Sequence, residues 1–400
     1  MDGGAEGTGG LTRAEMGNAH HTHDVAVVGA GCFGAWTAWH LRRADRSVVL
    51  LDAYGPGNTR SSSGGESRII RMGYGADDLY TRFARRSFDL WASLFRETGL
   101  PLFKPTGVLW LAREGDPLVS DTLATLRRLG VRHERLLRPD LEARFPQIAL
   151  GDHTWALLEP ESGVILARRA VSALVAEAVR AGVDYRAAHV LPPEGHGRLE
   201  ALRTENGEGI HAREFVFACG PWLPKVFPGL LAGRIFPTRQ EVFFFGPPAG
   251  DVRFSSPALP AWIDFGEEVY GIPDLEGRGF KVAPDRHGPA FEPDEGERLV
   301  SAESVARVRE FLGRRFPALG KAPLLETRVC QYENTSSGDF LIDRHPDLEN
   351  VWLAGGGSGH GFKHGPAVGE YVAERLKGAA AEEARFALST KETVQKRAVY

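Results

Sequence analysis

The sequence predicts an α/β protein, α+β overall, in which a Rossmann-like nucleotide-binding domain is assembled from discontinuous pieces and joined to a second, mainly antiparallel-sheet domain. Three observations predict it. Four short apolar, β-branched runs read as buried strands and lie far apart in the chain: DVAVVGA (24–30), SVVLLDA (47–53), EFVFACG (214–220) and NVWLAGG (350–356). The apolar helical stretch FGAWTAWHLRRA (33–44) joins the first two, and strand-helix-strand units build parallel sheets. A length of 400 residues exceeds what one compact core holds, so two intertwined domains are expected.

Taken in order, residues 1–22, which begin MDGGAEGTGG, are polar and Gly-rich and read as a flexible tail without an apolar signal core. Segments 23–85, 151–225 and 326–378 carry the strand-like runs, with RRAVSALVAEAVRAG (168–182) as a further helix, and form the expected nucleotide domain. Segments 86–150 and 226–325 carry the alternating run RQEVFFFG (239–246), the turn signal FGPPAG (245–250) and the amphipathic helix SAESVARVREFLGRRF (301–316). They are the expected substrate domain. Residues 379–400 read as a C-terminal tail, a polar helix or loose end.

Composition narrows the class of function. A formal net charge of -4 gives no whole-molecule attraction for nucleic acid or an anionic bilayer, and no apolar run reaches the length of a membrane span. Cys32, Cys219 and Cys330 are too scattered for a CxxC pair or a disulfide framework, which fits a reducing, cytoplasmic setting. His20, His21 and His23 form a short His-rich stretch that reads as solvated, and no metal site is predicted.

Gly29-Ala30-Gly31-Cys32-Phe33-Gly34 follows an apolar strand and opens a helix, as a dinucleotide fingerprint requires: the glycines permit a tight turn and let a pyrophosphate reach the helix N-terminus. Asp52 closes the next strand, placed to accept a ribose hydroxyl. FAD and NAD fit this pattern equally. A second Gly-rich turn, Gly355 to Lys363 with Gly357, Gly359, His360 and Gly361, follows the last strand and leads to a helix near Pro366. Its exposed amides and Lys363 would stabilise negative charge on a bound cofactor, a reading favoured over a purely structural β-to-α turn because the first fingerprint demands a second half for its ligand. Arg68 and Arg71 leave the loop NTRSSSGGES as either a surface pair or a carboxylate clamp. His360 and His364 stand four apart, but the Gly-rich backbone between them is no helix, so a metal pair is a poor reading.

At this point the chain resembles monomeric sarcosine oxidase and N-methyltryptophan oxidase, within the D-amino-acid-oxidase-like flavoproteins. The resemblance covers about residues 23–377 through GAGCFG, SRIIR (67–71), TGVLW (106–110), PTRQ (237–240), YGIPDLEGRGFK (270–281), CQYENTSSGDFLID (330–343) and GSGHGFK (357–363). It implies FAD, covalently bonded through Cys330. It implies that Arg71 and Lys363 hold a substrate carboxylate, that Arg68 packs near the flavin, that Lys281 activates O2, and that Tyr270 and Tyr332 line the substrate pocket. The implied activity is oxidation of a secondary amine or N-methyl amino acid, with hydride passing to flavin N5 to give an imine and O2 returning as H2O2. A dehydrogenase of the same fold using another acceptor, or an oxidase of pipecolate or glycated amino acids, are the alternatives. A monomer or small oligomer is expected. Two positions depart from the sarcosine enzyme, which has histidine four residues after its oxygen-activating lysine and four before its first arginine. Here they are Asp285 and Gly64, with His287 displaced by two. An acid near the amine end, or wider space at Gly64, is expected to alter substrate choice.

Overall fold

A computed structural model describes residues 22–396. Nearly all of the expected N-terminal tail, with His20 and His21, lies outside the described residues. His23 begins the first strand, β1 (His23–Val28), and its Nε2 lies 3.5 Å from Asp184 Oδ2.

β1 is fully buried along most of its length and is the centre of a seven-stranded sheet. On one side it pairs in parallel with β2 (Val48–Asp52), Val27 opposite Leu50, and on the other with the strand Gly209–Phe217, Val27 opposite Val216. The strand Val351–Gly355 adds in parallel beyond Gly209–Phe217, and Asp184–Ala187 beyond β2. All four expected strands therefore share one sheet. The edge strand Leu341–Arg344 and the short Ala201–Arg203 complete it as antiparallel additions.

Strands buried on both faces need helices above them. The helix α1 (Cys32–Arg43) supplies nine buried residues, packs beside Ala167–Arg180 and Gly365–Leu376, and meets through Trp36 the ring of Trp91, 5.0 Å away edge-on, in the long helix Asp78–Thr98. Asp77 caps the last of these by accepting the Leu79 amide at 3.1 Å, and Gly99 ends it in the left-handed conformation at φ 67°. Among the described residues no helix is long and apolar enough to cross a membrane.

The second sheet has eight strands, antiparallel throughout except where Ala261–Asp264 runs parallel to Val108–Ala112. Its widest pairing joins Phe236–Phe245 to Leu324–Asn334, with Gln240 opposite Cys330. Two strands depart from the expected segment division: Trp155–Glu159 and, from residue 326 onward, Leu324–Asn334, assigned by sequence to the nucleotide part, both pair in this second sheet. Trp155–Glu159 is buried along its whole length, as a parallel strand would be, because Trp155 and Leu157 join one hydrophobic cluster while Ala156 and Leu158 join another.

The expected C-terminal tail is docked as far as it is described. Phe386 is fully buried, Arg385 pairs with Asp77 at 2.7 Å and with Asp339 at 2.5 Å, and the Lys396 amide donates to Ser336 O at 2.9 Å. Gln395 Nε2 lies 2.5 Å from His287 Nδ1, which brings this arm to the rim of the candidate active site. Its anchors are single residues without periodicity, so no helix or strand pattern announces them.

Candidate active site

The first glycine turn is built by steric necessity. Gly29 has φ 105°, and a Cβ there would lie 2.4 Å from Ala218 O; a Cβ on Gly34 would lie 1.9 Å from Gly29 O. Gly31 is different, because its nearest atom would be Ser63 Oγ at 3.6 Å, which leaves the N-terminus of α1 open to an anion. Asp52 Oδ2 accepts the Ala30 amide at 2.8 Å, and Oδ1 accepts the Tyr54 and Gly55 amides at 2.8 Å each. Burial pushes its carboxyl up, opposed by these amides.

These elements meet at the carboxyl ends of the parallel strands, where open α/β sheets bind ligands. Gly29, Gly31, Cys32, Phe33 and Asp52 line a cleft of about 420 Å³ there, together with Arg68, Gly357, Gly359 and Gly361. Ala30 and Gly34, expected at the cofactor from the sequence, do not line it. The second glycine turn faces the first because the helix Gly365–Leu376 lies backbone to backbone on α1: a Cβ at Gly369 would sit 2.5 Å from the Trp36 carbonyl carbon, and one at Gly365 would sit 2.3 Å from Cys32 Sγ.

A smaller compartment shares Arg68, Tyr332, Ser358, Gly359 and Phe362 with the cleft and adds Arg71, Ile263, Phe265, Tyr270, Asp285, His287, His360 and Lys363. Arg71 is 7% exposed, its guanidinium stacked 4.6 Å from both Tyr74 and Trp110 and donating to Gly73 O. Lys363 Nζ donates to Tyr74 Oη at 2.7 Å and His360 O at 2.9 Å. Burial, then Arg71, pulls the Lys363 ammonium well below the usual lysine range. Tyr332 donates to Asp285 Oδ1 at 2.9 Å. No extra space opens at Gly64, where a Cβ would lie 1.7 Å from Asn58 O.

Lys281 and Cys330 open instead on a third, small cavity shared with Arg68 and Arg328. Lys281 Nζ donates to Ser67 O at 2.9 Å and lies 5.5 Å from the Tyr270 ring; burial, then Arg68, pulls it well below the lysine range. Arg68 Nη2 lies 3.4 Å from Cys330 Sγ and 2.7 Å from Ser62 O. Arg68 thus borders all three spaces.

Residues 24–375 match the family model described as FAD dependent oxidoreductase. The chain belongs to that family. It is 31% identical over 358 residues to the peroxisomal sarcosine oxidase of Homo sapiens, covering 88% of this chain and 91% of that protein. It is 33% identical over 366 residues to the monomeric sarcosine oxidase of Bacillus sp. (strain NS-129), covering 88% and 92%. The fold is also that of the fructosyl peptide oxidase from E. terrenum, at TM-score 0.81 and 20% identity over 96% of this chain and 97% of that one. L-proline dehydrogenase from P. horikoshii matches at TM-score 0.79 and 21% identity over 92% and 97%.

The flavin cofactor of this family fits the cleft. The open amide end of α1 suits a pyrophosphate, the Asp52 carboxyl suits a ribose hydroxyl, and the wall residue Glu333 has an Oε2 without a hydrogen-bond partner among the described residues. Three residues of the site were not singled out in the sequence, although Glu333 lies within the motif at 330–343. Tyr74 joins Lys363 to His360 and to His364, whose Nε2 lies 2.6 Å from its hydroxyl. Glu159, 1% exposed, accepts from the Met72 and Gly73 amides at 2.7 and 3.1 Å, Trp110 Nε1 at 2.9 Å and Ser162 Oγ at 2.6 Å. Glu333 sits beside Tyr332 and accepts the Gly357 amide at 3.2 Å.

Proposed function

We propose that the chain is an oxidase of a small secondary amine of the N-methyl or cyclic amino-acid type, converting its CH–NH bond to an imine, with O2 leaving as hydrogen peroxide. FAD, when bound, supplies the two-electron acceptor. One observation carries this reading: two buried cations, Arg71 and Lys363, face a small compartment that opens through Arg68, Tyr332 and Gly359 onto the nucleotide cleft. The two sarcosine oxidase relatives support it.

Each residue has a role set by its surroundings. The Tyr74 and Trp110 rings against Arg71 hold its guanidinium in place, so a carboxylate can meet it in two-point contact. Lys363, anchored on Tyr74, adds the second contact, and an arriving anion restores the charge that burial disfavours. Tyr270 and Tyr332 wall the compartment on the side of Lys281. Lys281, in its own cavity beside Arg68, is placed to stabilise negative charge as O2 takes up electrons. Cys330, in the same cavity, is the proposed attachment point for the flavin, and the three scattered cysteines suit a cytoplasmic site of action. A panel of N-methyl and cyclic amino acids, read by loss of flavin absorbance without air and by peroxide with air, tests the reading. Bleaching without peroxide would transfer the assignment to a dehydrogenase.

A further inference from the structure

Asp285 is the anion in a compartment of cations. It stands one residue beyond the strand Phe280–Pro284, four residues from Lys281, so the strand's alternation puts both on one side. Its backbone is fixed by the Asp285 amide donating to Glu268 O at 2.7 Å. Its Oδ1 accepts the Tyr332 hydroxyl at 2.9 Å, and no ion pair is formed at Oδ2 among the described residues. Arg71 and Lys363 face the same space and act on it through their charge without touching it. A compartment with two cations on one wall and a carboxylate on another is complementary to a zwitterion. One end holds a carboxylate. The other is shaped for an ammonium.

Resting on the proposed carboxylate clamp, we infer that Asp285 receives the substrate's ammonium group and takes its proton, making the site selective for zwitterionic amines that carry an N–H. The N–H bond of the ammonium breaks, an O–H bond forms on Asp285, and the nitrogen lone pair is freed; no electrons change owner in this step. The free amine is the form that can lose hydride. The carboxyl suits the task, because burial pushes it up, opposed by the Tyr332 hydrogen bond and the charges of Arg71 and Lys363, with Glu268 pushing the same way as burial. Besides Tyr332, Arg71 and Lys363, the titratable groups around the compartment are Tyr270, His287, His360 and Arg68, and none of them offers a second carboxylate there. Hydroxycarboxylates of the same shape would satisfy the clamp but bring Asp285 a neutral hydroxyl in place of an ammonium.

The test compares flavin-loaded wild type with Asp285→Asn and Asp285→Glu, titrating two probes against the flavin absorbance spectrum: cyclopentanecarboxylate, which has no basic nitrogen, and the zwitterion L-proline. Asp285→Asn should weaken L-proline at least tenfold, leave cyclopentanecarboxylate within threefold, and flatten the pH dependence of L-proline binding, while Asp285→Glu restores part of it. Equal effects on both probes, or none on either, overturn the assignment to Asp285 while leaving the clamp in place. If cyclopentanecarboxylate fails to perturb the wild-type spectrum, the clamp itself fails and this inference falls with it.

Discussion

Glu159 is expected to set the position of Arg71, although it never touches it. Its two oxygens hold four donors, and three of them belong to the frame of the arginine: the Met72 and Gly73 amides that follow it, and Trp110, on which it stacks. Glu159→Gln replaces one acceptor oxygen by an NH2 group facing donors. If Oε2 is lost, the Met72 amide at 2.7 Å loses its acceptor in a buried place, while Ser162 can rotate its hydroxyl away. An unsatisfied buried donor costs about 1–3 kcal/mol, and the opposed N–H groups add to it, so a loss of about 3 kcal/mol is expected. Thermal unfolding should report that loss as a drop of several degrees in Tm. Titration with cyclopentanecarboxylate should show binding weakened at least tenfold, because the guanidinium is no longer held in place, with flavin content unchanged. A variant that loses stability but binds the carboxylate as wild type does would refute the positioning role.

Two further outcomes are expected from the same structure. Cys330→Ser should release the flavin on acid precipitation while wild type keeps its colour in the pellet; colour that washes out of the wild type as well removes Cys330 as an attachment point. Burial pushes the Glu333 carboxyl up to about 7 from 4.5, so between these values the folded chain holds a proton that the unfolded chain has lost. Stability must therefore fall as pH rises through that window, by about 3 kcal/mol at roughly 1.4 kcal/mol per unit, and be level above it. Glu333→Gln should flatten this part of the Tm profile, and an unchanged slope would place its cause elsewhere.

The parallel core was legible because its strands are short apolar runs without competing signals: Val25 to Val28, Val48 to Leu51 and Val351 to Leu353 need only periodicity to be read. Trp155–Glu159 has the same look and lies in the other sheet, since burial on both faces says nothing about which sheet a strand joins. The glycine turns were legible through spacing. Which glycines serve the ligand was not, because only the placement of Ala218 and Ser63 separates Gly29, locked by its neighbours, from Gly31, open to the cleft. The roles of Arg71 and Lys363 came from resemblance: residue types alone left Arg68 and Arg71 equally open to a surface pair, and Lys363 as one cation in a Gly-rich turn. Tyr74 and Glu159 could not be read at all: their importance exists only once residues 71–74, 110 and 363 are gathered around them. The docked arm through Phe386 and Arg385 was hidden for the same reason, its anchors being far-off partners such as Asp77 and Asp339.

The most direct measurement is the absorbance of the purified yellow protein mixed anaerobically with sarcosine, N-methyl amino acids and cyclic imino acids, followed by admission of air. At least one of these amines should bleach the flavin, and air should restore the colour with one hydrogen peroxide formed per turnover. A flavin that none of them bleaches would contradict the assignment of this compartment to amine oxidation.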